Sequence, residues 1–133
     1  MTNYVETNAQ LRIRLGELGE ELTGTFASFA RLNRLAMESG ALTNKTKELM
    51  ALAISISLRC DGCIAYYVHD AVEAGATRQE LLETLGVAVM MGGGPATVYA
   101  AEAMEAIDQF SPEKELAQAV VEEDFDPYDV NAD

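Results

Sequence analysis

The chain has no tryptophan, one histidine, two cysteines and three prolines among its 133 residues. Two cysteines are too few for the disulfide framework of a small secreted protein. With the single histidine, they also fall short of the two ligand pairs that a closed zinc site usually shows, so we expect no metal. Basic residues are scarce: nine lysines and arginines stand against 22 acidic residues, a formal net charge of -13. Such a surface repels phosphate backbones, so we expect no nucleic-acid partner.

Long uninterrupted apolar runs are absent as well. The stretch Leu49–Leu58 is too short to span a bilayer, and Leu85–Ala101 is broken by three glycines and a proline. Residues 1–8 do not combine a basic start with an apolar run, which is the pattern of a signal peptide. We therefore expect a cytoplasmic protein without a membrane segment. In that compartment two close cysteines indicate redox or metal chemistry more than a structural disulfide.

The overall composition is that of a globular protein. Hydrophobic residues make up 49% of the chain and charged residues 23%, and the length suits one domain with a core of its own, which we place at residues 1–121. Residues 122–133 are expected to be a flexible acidic tail. The acids of that segment are Glu122, Glu123, Asp124, Asp126, Asp129 and Asp133.

Apolar residues recur at helical spacing, and residues typical of helix ends separate the segments. The pattern predicts helices over residues 8–22, 27–37, 43–58, 64–74, 81–91 and 96–110, and a short one that begins at Ser111. The sequence Thr77–Glu80 is typical of a capping box, and Gly75 is typical of a helix end. No segment alternates convincingly with period two, so the predicted fold is all-α, in a single domain.

The third predicted helix carries no charged residue from Leu49 to Leu58. A helix that is apolar on every side has to be covered on every side, and a domain of this size has difficulty doing that alone. We therefore expect a contact between subunits, although a central helix inside a monomer would satisfy the same pattern. Met90, Met91 and Met104 are expected to fill gaps in the core.

The residues best suited to chemistry are Cys60 and Cys63. On a helical path they lie about 60° apart, close enough to face the same way. If a helix begins around Asp61, its free N–H groups and its dipole stabilise a thiolate, which is the nucleophilic form of cysteine. The charge of Asp61 opposes this effect, and Arg59 can offset it. The alternative is that both cysteines are small buried hydrophobic residues.

A longer pattern surrounds the cysteine pair. Glu48, eleven further residues, Cys60-Asp61-Gly62-Cys63, then Ala74–Thr77 and an acidic capping position resemble the AhpD-like branch of the carboxymuconolactone decarboxylase superfamily, over residues 42–110. The resemblance implies an all-helical homotrimer or homohexamer. It also implies a peroxidase or disulfide reductase that takes electrons from a dithiol or protein donor and needs no cofactor.

The same resemblance assigns roles to single residues. It implies that Cys63 is the attacking thiol, Cys60 the resolving thiol, and Glu48 the acid–base end of a proton relay. The decarboxylase members of the superfamily lack the cysteine pair, which argues against lactone decarboxylation. That activity remains an alternative, and so does a non-catalytic helical oligomer whose relay has decayed.

Two positions depart from the family pattern. Tyr67 stands where the family has its relay histidine, and Gly62 stands where AhpD itself has another. A tyrosine, with an ordinary pKa of about 10, can donate a hydrogen bond but is a poor base near neutral pH. Dithiol–disulfide exchange, which needs fewer helpers, is therefore favoured over full peroxidase activity. Tyr67 is a candidate relay residue or, alternatively, an aromatic residue of the core.

Two further candidates depend on geometry. His69 follows Cys63 by six residues, a turn of about 240° on a helix, so it is expected to point away from the thiols as a surface histidine near Glu73. Glu48 would lie about 18 Å from Cys60 along one straight helix. A shared site therefore requires the helix after the cysteines to cross back over Glu48, or another subunit to contribute. Otherwise Glu48 is an acid favoured by the dipole of its own helix.

Overall fold

The computed structural model describes residues 2–111, which form six α-helices and no strand. The helices are α1 (Tyr4–Glu21), α2 (Thr23–Met37), α3 (Asn44–Ser57), α4 (Asp61–Glu73), α5 (Arg78–Gly92) and α6 (Gly94–Phe110). The all-α prediction is confirmed. The predicted helix from Ser111, the domain end at 121 and the tail 122–133 lie outside the described residues.

The core lies between four of these helices. α3 packs against α4 and α5, and α6 packs against α4 and α5, while α1 lies across α4. The largest completely buried side chains are Leu52, Ile56, Ile64, Val68, Leu81 and Ile107. Each of them stabilises the fold by about 1.5–3 kcal/mol relative to an exposed side chain. Alanines fill most of the buried face of α6, so that helix approaches its neighbours closely.

Helix ends follow the sequence signals. Thr77 caps α5 through a complete capping box with Glu80, as the sequence predicts. Gly92, the last residue of α5, lies close to Ala96 of α6. A Cβ atom built on Gly92 would lie 2.6 Å from Ala96 Cβ, so a larger residue would not fit there. Gly93 then takes a φ of 69°, a left-handed conformation that favours glycine, and α6 begins at the next residue. The glycine run therefore turns the chain between two closely packed helices.

Several apolar side chains remain exposed on the single chain. α2 buries none of its residues, and Phe29 and Leu32 on it are 61% and 62% exposed. On α3, Met50, Ile54 and the following Leu58 face outward, so that helix is only half covered by its own chain. No helix among the described residues is long and apolar enough to cross a membrane.

The prediction for the methionines is wrong. Met90 and Met91 are 70% and 74% exposed, and Met104 is 44% exposed. The core on that side is closed by small residues, among them Ala88, Ala100 and Ala103, which leave no gap for a long side chain. The methionines instead add to the apolar surface.

Candidate functional site

The cysteine pair lies at the start of α4. Cys60 and Cys63 are joined by a disulfide, with their Cα atoms 5.1 Å apart, and both residues are partly exposed. Cys60 is the N-cap residue of the helix, and its Sγ accepts a hydrogen bond from the backbone N–H of Cys63 at 3.2 Å. The helix predicted over residues 64–74 begins earlier, at Asp61, so the condition for stabilising a thiolate at its N-terminus is met. A thiolate formed on reduction therefore meets the positive end of the helix dipole.

The turn before the pair holds the first cysteine in place. Arg59 takes a φ of 56°, the left-handed conformation that usually ends a helix. Its N–H donates to the carbonyl of Ile56, and the N–H of Cys60 donates to the carbonyl of Ser55, both at 3.1 Å. Cys60 thus completes the end of α3 and caps the beginning of α4. The short connection folds α4 back along α3, which is the arrangement that a shared site with Glu48 requires.

Glu48 is a buried carboxyl with incomplete hydrogen bonding. It is 8% exposed, its Oε1 accepts a bond from Asn44 Nδ2 at 3.4 Å, and its Oε2 has no hydrogen-bond partner among residues 2–111. Burial and the negative charge of Asp70 raise the pKa of Glu48, while Asn44 and Arg12 oppose the rise. Glu48 lies four residues beyond the start of α3, where the dipole of its own helix no longer explains its placement.

Tyr67 lies on α4 after the cysteines and near Glu48. It follows Cys63 by four residues, about 6 Å along the axis of α4, on the same side of the helix. It packs against the hydrophobic core, and its ring meets the ring of Tyr66 edge-on at 5.1 Å between centroids. Burial raises the pKa of Tyr67, and the charge of nearby Glu48 contributes to the rise. Even less of the phenolate, the form that could accept a proton, is therefore present near neutral pH than for an ordinary tyrosine.

A second polar cluster, which the sequence does not predict, lies on the neighbouring face of α4. Arg12 of α1 donates from Nη2 to Asp70 Oδ1 at 2.5 Å and from Nε to Asn8 Oδ1 at 3.0 Å. Its guanidinium carbon lies 3.9 Å from the centroid of the Tyr66 ring. Tyr66 and Asp70 stand four residues apart and so share a face. That spacing is readable in the sequence, but the approach of α1 is not.

His69 belongs to the same cluster. Its Nδ1 lies 2.8 Å from Asp70 Oδ1 and 3.2 Å from Arg12 Nη2, and its ring meets Phe110 edge-on at 5.6 Å. The side chain is 33% exposed. The expected surface histidine near Glu73 is therefore a half-buried histidine that contacts α1 and α6, because α1 lies along that side of α4.

The first turn of α4 has its own acidic surroundings. Burial and the charge of Asp61 raise the pKa of Glu102 on α6, and a hydrogen bond with Asp61 adds to the rise. An open groove of about 600 Å³ lies beside them, lined by Thr2, Tyr4, Thr97, Val98, Ala101, Glu102 and Glu105. On the other side, a Cβ atom built on Gly62 would lie 3.3 Å from Leu11 Cδ2. The helix α1 thus crowds the position of Gly62, between the two cysteines.

Potential metal ligands are not clustered in the described part of the chain. Within residues 2–111, no three side chains of His, Cys, Asp or Glu form a group that could hold a metal ion. The described residues do bring Glu48 near Tyr67, Asp70 and Arg12, and Cys63 lies one helical turn before Tyr67 on α4.

Comparison with known proteins gives consistent matches. The model of the carboxymuconolactone decarboxylase family matches residues 24–106. A crystal structure of a member of that family from Legionella pneumophila is 42% identical, covers 81% of this chain and 96% of its own, and superposes with a TM-score of 0.78. A member from Thermotoga maritima, for which a part in the antioxidative response has been suggested, is 28% identical over 79% of this chain and 96% of its own, with a TM-score of 0.64.

A relative of uncharacterised function extends the match. This protein, from Cupriavidus necator, is 31% identical over 109 residues, which are 81% of this chain and 96% of that protein. The matches therefore span nearly the full length of these relatives.

Proposed function

The chain belongs to the carboxymuconolactone decarboxylase family, and from this and its cysteine pair we propose that it is a thiol–disulfide oxidoreductase of the AhpD-like branch. The observation that carries the proposal is the placement of Cys60 and Cys63 at the N-terminus of α4, on the same hairpin as the buried carboxyl of Glu48. Lactone decarboxylation is less well supported, because it gives no role to the two sulfur atoms.

The proposed cycle moves two electrons. A dithiol donor reduces the disulfide: one donor thiolate attacks a cysteine sulfur, the second donor thiol displaces it, and the donor leaves as a disulfide. The Cys63 thiolate then attacks the S–S bond of a substrate disulfide and forms a mixed disulfide, while one substrate thiol leaves. Attack by Cys60 on the Cys63 sulfur releases the second substrate thiol and restores the Cys60–Cys63 disulfide.

A small hydroperoxide is the alternative oxidant in the same cycle. The Cys63 thiolate attacks the O–O bond, an alcohol leaves, and Cys63 becomes a sulfenic acid. Cys60 condenses with it, and water leaves as the disulfide forms. This route requires a group that donates a proton to the departing alkoxide. Since Tyr67 replaces the histidine of the family, we rank peroxide reduction below disulfide exchange.

Proton transfer is assigned to Glu48. Its raised pKa means that the carboxyl holds a proton more readily than an exposed glutamate does, so it can return one to a departing thiolate. The partly exposed cysteines admit water that can carry the proton across the remaining distance. Tyr67 donates a hydrogen bond in this scheme and does not act as a base.

The proposal also includes a homo-oligomer in the cytoplasm. The apolar side chains exposed on α2 and α3 need a cover, and a second copy of the chain offers apolar surfaces of the same kind. α2 carries Arg31 and Arg34 and no acid, so it is attracted to the acidic remainder of another copy. A reducing compartment supplies the dithiol donor that the cycle needs.

The proposal is tested with purified protein and a small disulfide such as oxidised glutathione. Reduction with a dithiol followed by thiol alkylation and mass measurement gives the equilibrium between dithiol and disulfide at buffers of defined potential. We expect a reversible two-electron transition and catalytic turnover of the substrate. A pair that never reduces, or that reduces without any turnover of disulfide or peroxide, would rule the proposed function out.

A further inference from the structure

Arg12 is the most completely fixed charged side chain near the site, and the proposed reaction gives it no task. It donates to Asp70 and to Asn8 and stacks on Tyr66, although its side chain is still 37% exposed. An exposed ion pair alone contributes little to stability. Arg14 on the same helix illustrates that ordinary case: it pairs with Glu17, and the two side chains are 78% and 53% exposed.

The ion pair of Arg12 bears on the site because its partner, Asp70, lies near Glu48. Asp70 lies close enough to Glu48 for its charge to raise the pKa of the buried carboxyl, and the charge of Arg12 acts in the opposite direction. Around Glu48 the other facing groups are Tyr67 on α4 and Asn44 on α3. His69 contacts the ion pair from α4, and on the α5 side Lys45 is paired with Glu80.

We propose that Arg12 is a positioning residue of the thiol site, which holds Asp70 and Tyr66 against α1 and balances the charge that Glu48 faces. The inference rests on the proposed function in one respect, namely that Glu48 carries the proton. Arg12 acts through Asp70 and touches neither sulfur atom. Arg12 lies on α1, outside residues 24–106, the part of the chain that matches the family model.

Substitutions of Arg12 and of Asp70 should shift the pH dependence of the reaction in opposite directions. Removing the positive charge in Arg12→Gln leaves Asp70 unopposed, so Glu48 should keep its proton to higher pH. Removing the negative charge in Asp70→Asn leaves Arg12 unopposed, so Glu48 should lose its proton at lower pH. The double variant should lie between the two. A residue that merely supported the fold would lower the rate without opposite shifts.

The experiment follows disulfide exchange across pH for the wild type, Arg12→Gln, Asp70→Asn, the double variant and the control Arg14→Gln. We expect the inflection in the plot of exchange rate against pH to move to higher pH in Arg12→Gln and to lower pH in Asp70→Asn. In Arg14→Gln it should not move. Arg12→Lys keeps the charge and should restore most of the wild-type profile. If Arg12→Gln does not fold by circular dichroism, Asp70→Asn carries the test, because an unchanged inflection in that variant would overturn the role of the ion pair.

A second readout separates this inference from the proposed function. Carbon NMR of the Glu48 carboxyl follows its titration directly, whether or not the protein turns over a substrate. Opposite shifts of that titration in a protein without exchange activity would support the role of Arg12 and defeat the proposed function. Active protein in which the Glu48 titration is the same in Arg12→Gln and wild type would overturn the role of Arg12.

Discussion

At the scale of single residues, the two cysteines differ in their surroundings. The sulfur of Cys60 accepts a backbone hydrogen bond at the cap of α4, whereas Cys63 lies inside the first turn. The family resemblance implies that Cys63 is the attacking thiol. Capping favours the thiolate of Cys60, which is the nucleophile that attacks the Cys63 sulfur in the resolving step.

We predict that Cys63→Ser abolishes reduction of disulfides and peroxides. Cys60→Ser should instead trap a mixed disulfide or a sulfenic acid on Cys63, because the resolving thiol is missing. Mass spectrometry of the trapped adduct identifies the attacking residue. An adduct on Cys60 in the Cys63→Ser variant would reverse the order.

The second prediction concerns Tyr67. We expect Tyr67→His to raise peroxidase activity at neutral pH at least about tenfold, because an imidazole titrates near neutrality and a general base typically contributes a hundredfold or more. Tyr67→Phe should change disulfide exchange little. Turnover of an alkyl hydroperoxide with a dithiol donor measures the first effect. A loss in Tyr67→Phe as large as that in Cys63→Ser would identify the hydroxyl as the working proton donor.

The third prediction links activity to stability at Glu48. Because its pKa is raised in the folded protein, the native state binds more protons than the unfolded chain, and stability falls as pH rises through the raised pKa. Glu48→Gln should therefore be more stable than wild type above that range, by about 1 kcal/mol, and lose about a hundredfold in exchange rate. Denaturant unfolding at acidic and neutral pH measures the stability difference. An advantage of equal size at both pH values would contradict the assigned cause.

At the scale of helices, the sequence predicts where helices end better than which helices pack against each other. Thr77, Gly75 and the glycine run are local signals, and the structure follows each of them. The start of α4 was predicted less well, because the pattern placed it at residue 64 and the structure begins it at Asp61. The contacts of Arg12 were not predictable, because its partners Tyr66 and Asp70 are more than fifty residues away, and nothing in one sequence says which helix α1 lies against. The prediction for the methionines was wrong for a similar reason, because apolar character does not distinguish a core position from an exposed one.

The fourth prediction concerns the turn between α3 and α4. Arg59 is the only non-glycine residue with positive φ in the described part of the chain. A left-handed residue with a Cβ costs about 1–2 kcal/mol, and a β-branched one costs more. We expect unfolding free energies in the order Arg59→Gly, wild type, Arg59→Val, from the most to the least stable. Denaturant unfolding of the reduced protein checks this order, and a less stable Arg59→Gly would show that the arginine makes a compensating contact.

At the scale of the whole molecule, the exposed apolar residues require an explanation. A fifteen-residue helix such as α2 is marginal in water by itself, and here it buries none of its residues. The sequence pattern predicts a contact between subunits on α3. The structure leaves one face of α3 open and adds α2 and the exposed methionines of α5 to the uncovered surface.

The fifth prediction is an obligate homo-oligomer, with a trimer or hexamer preferred because of the family. Light scattering at micromolar concentration should give the mass of several chains. Phe29→Glu, on the exposed face of α2, should weaken the assembly, whereas Glu17→Gln on α1 is the control that should leave it intact. A stable folded monomer of the wild type would remove this prediction.

The position of α1 has a consequence for how this protein can evolve. α1 buries only Tyr4 and Asn8 among its own residues, yet it brings Leu11 against Gly62 and Arg12 against Asp70. Most of its positions can therefore change without disturbing the core that α3 to α6 build. The cysteines and Glu48 are fixed by that core. With the role proposed for Arg12, substitutions on this peripheral helix would alter the reactivity of the site while Cys60, Cys63 and Glu48 stay the same, so selection could act on chemistry and on folding separately.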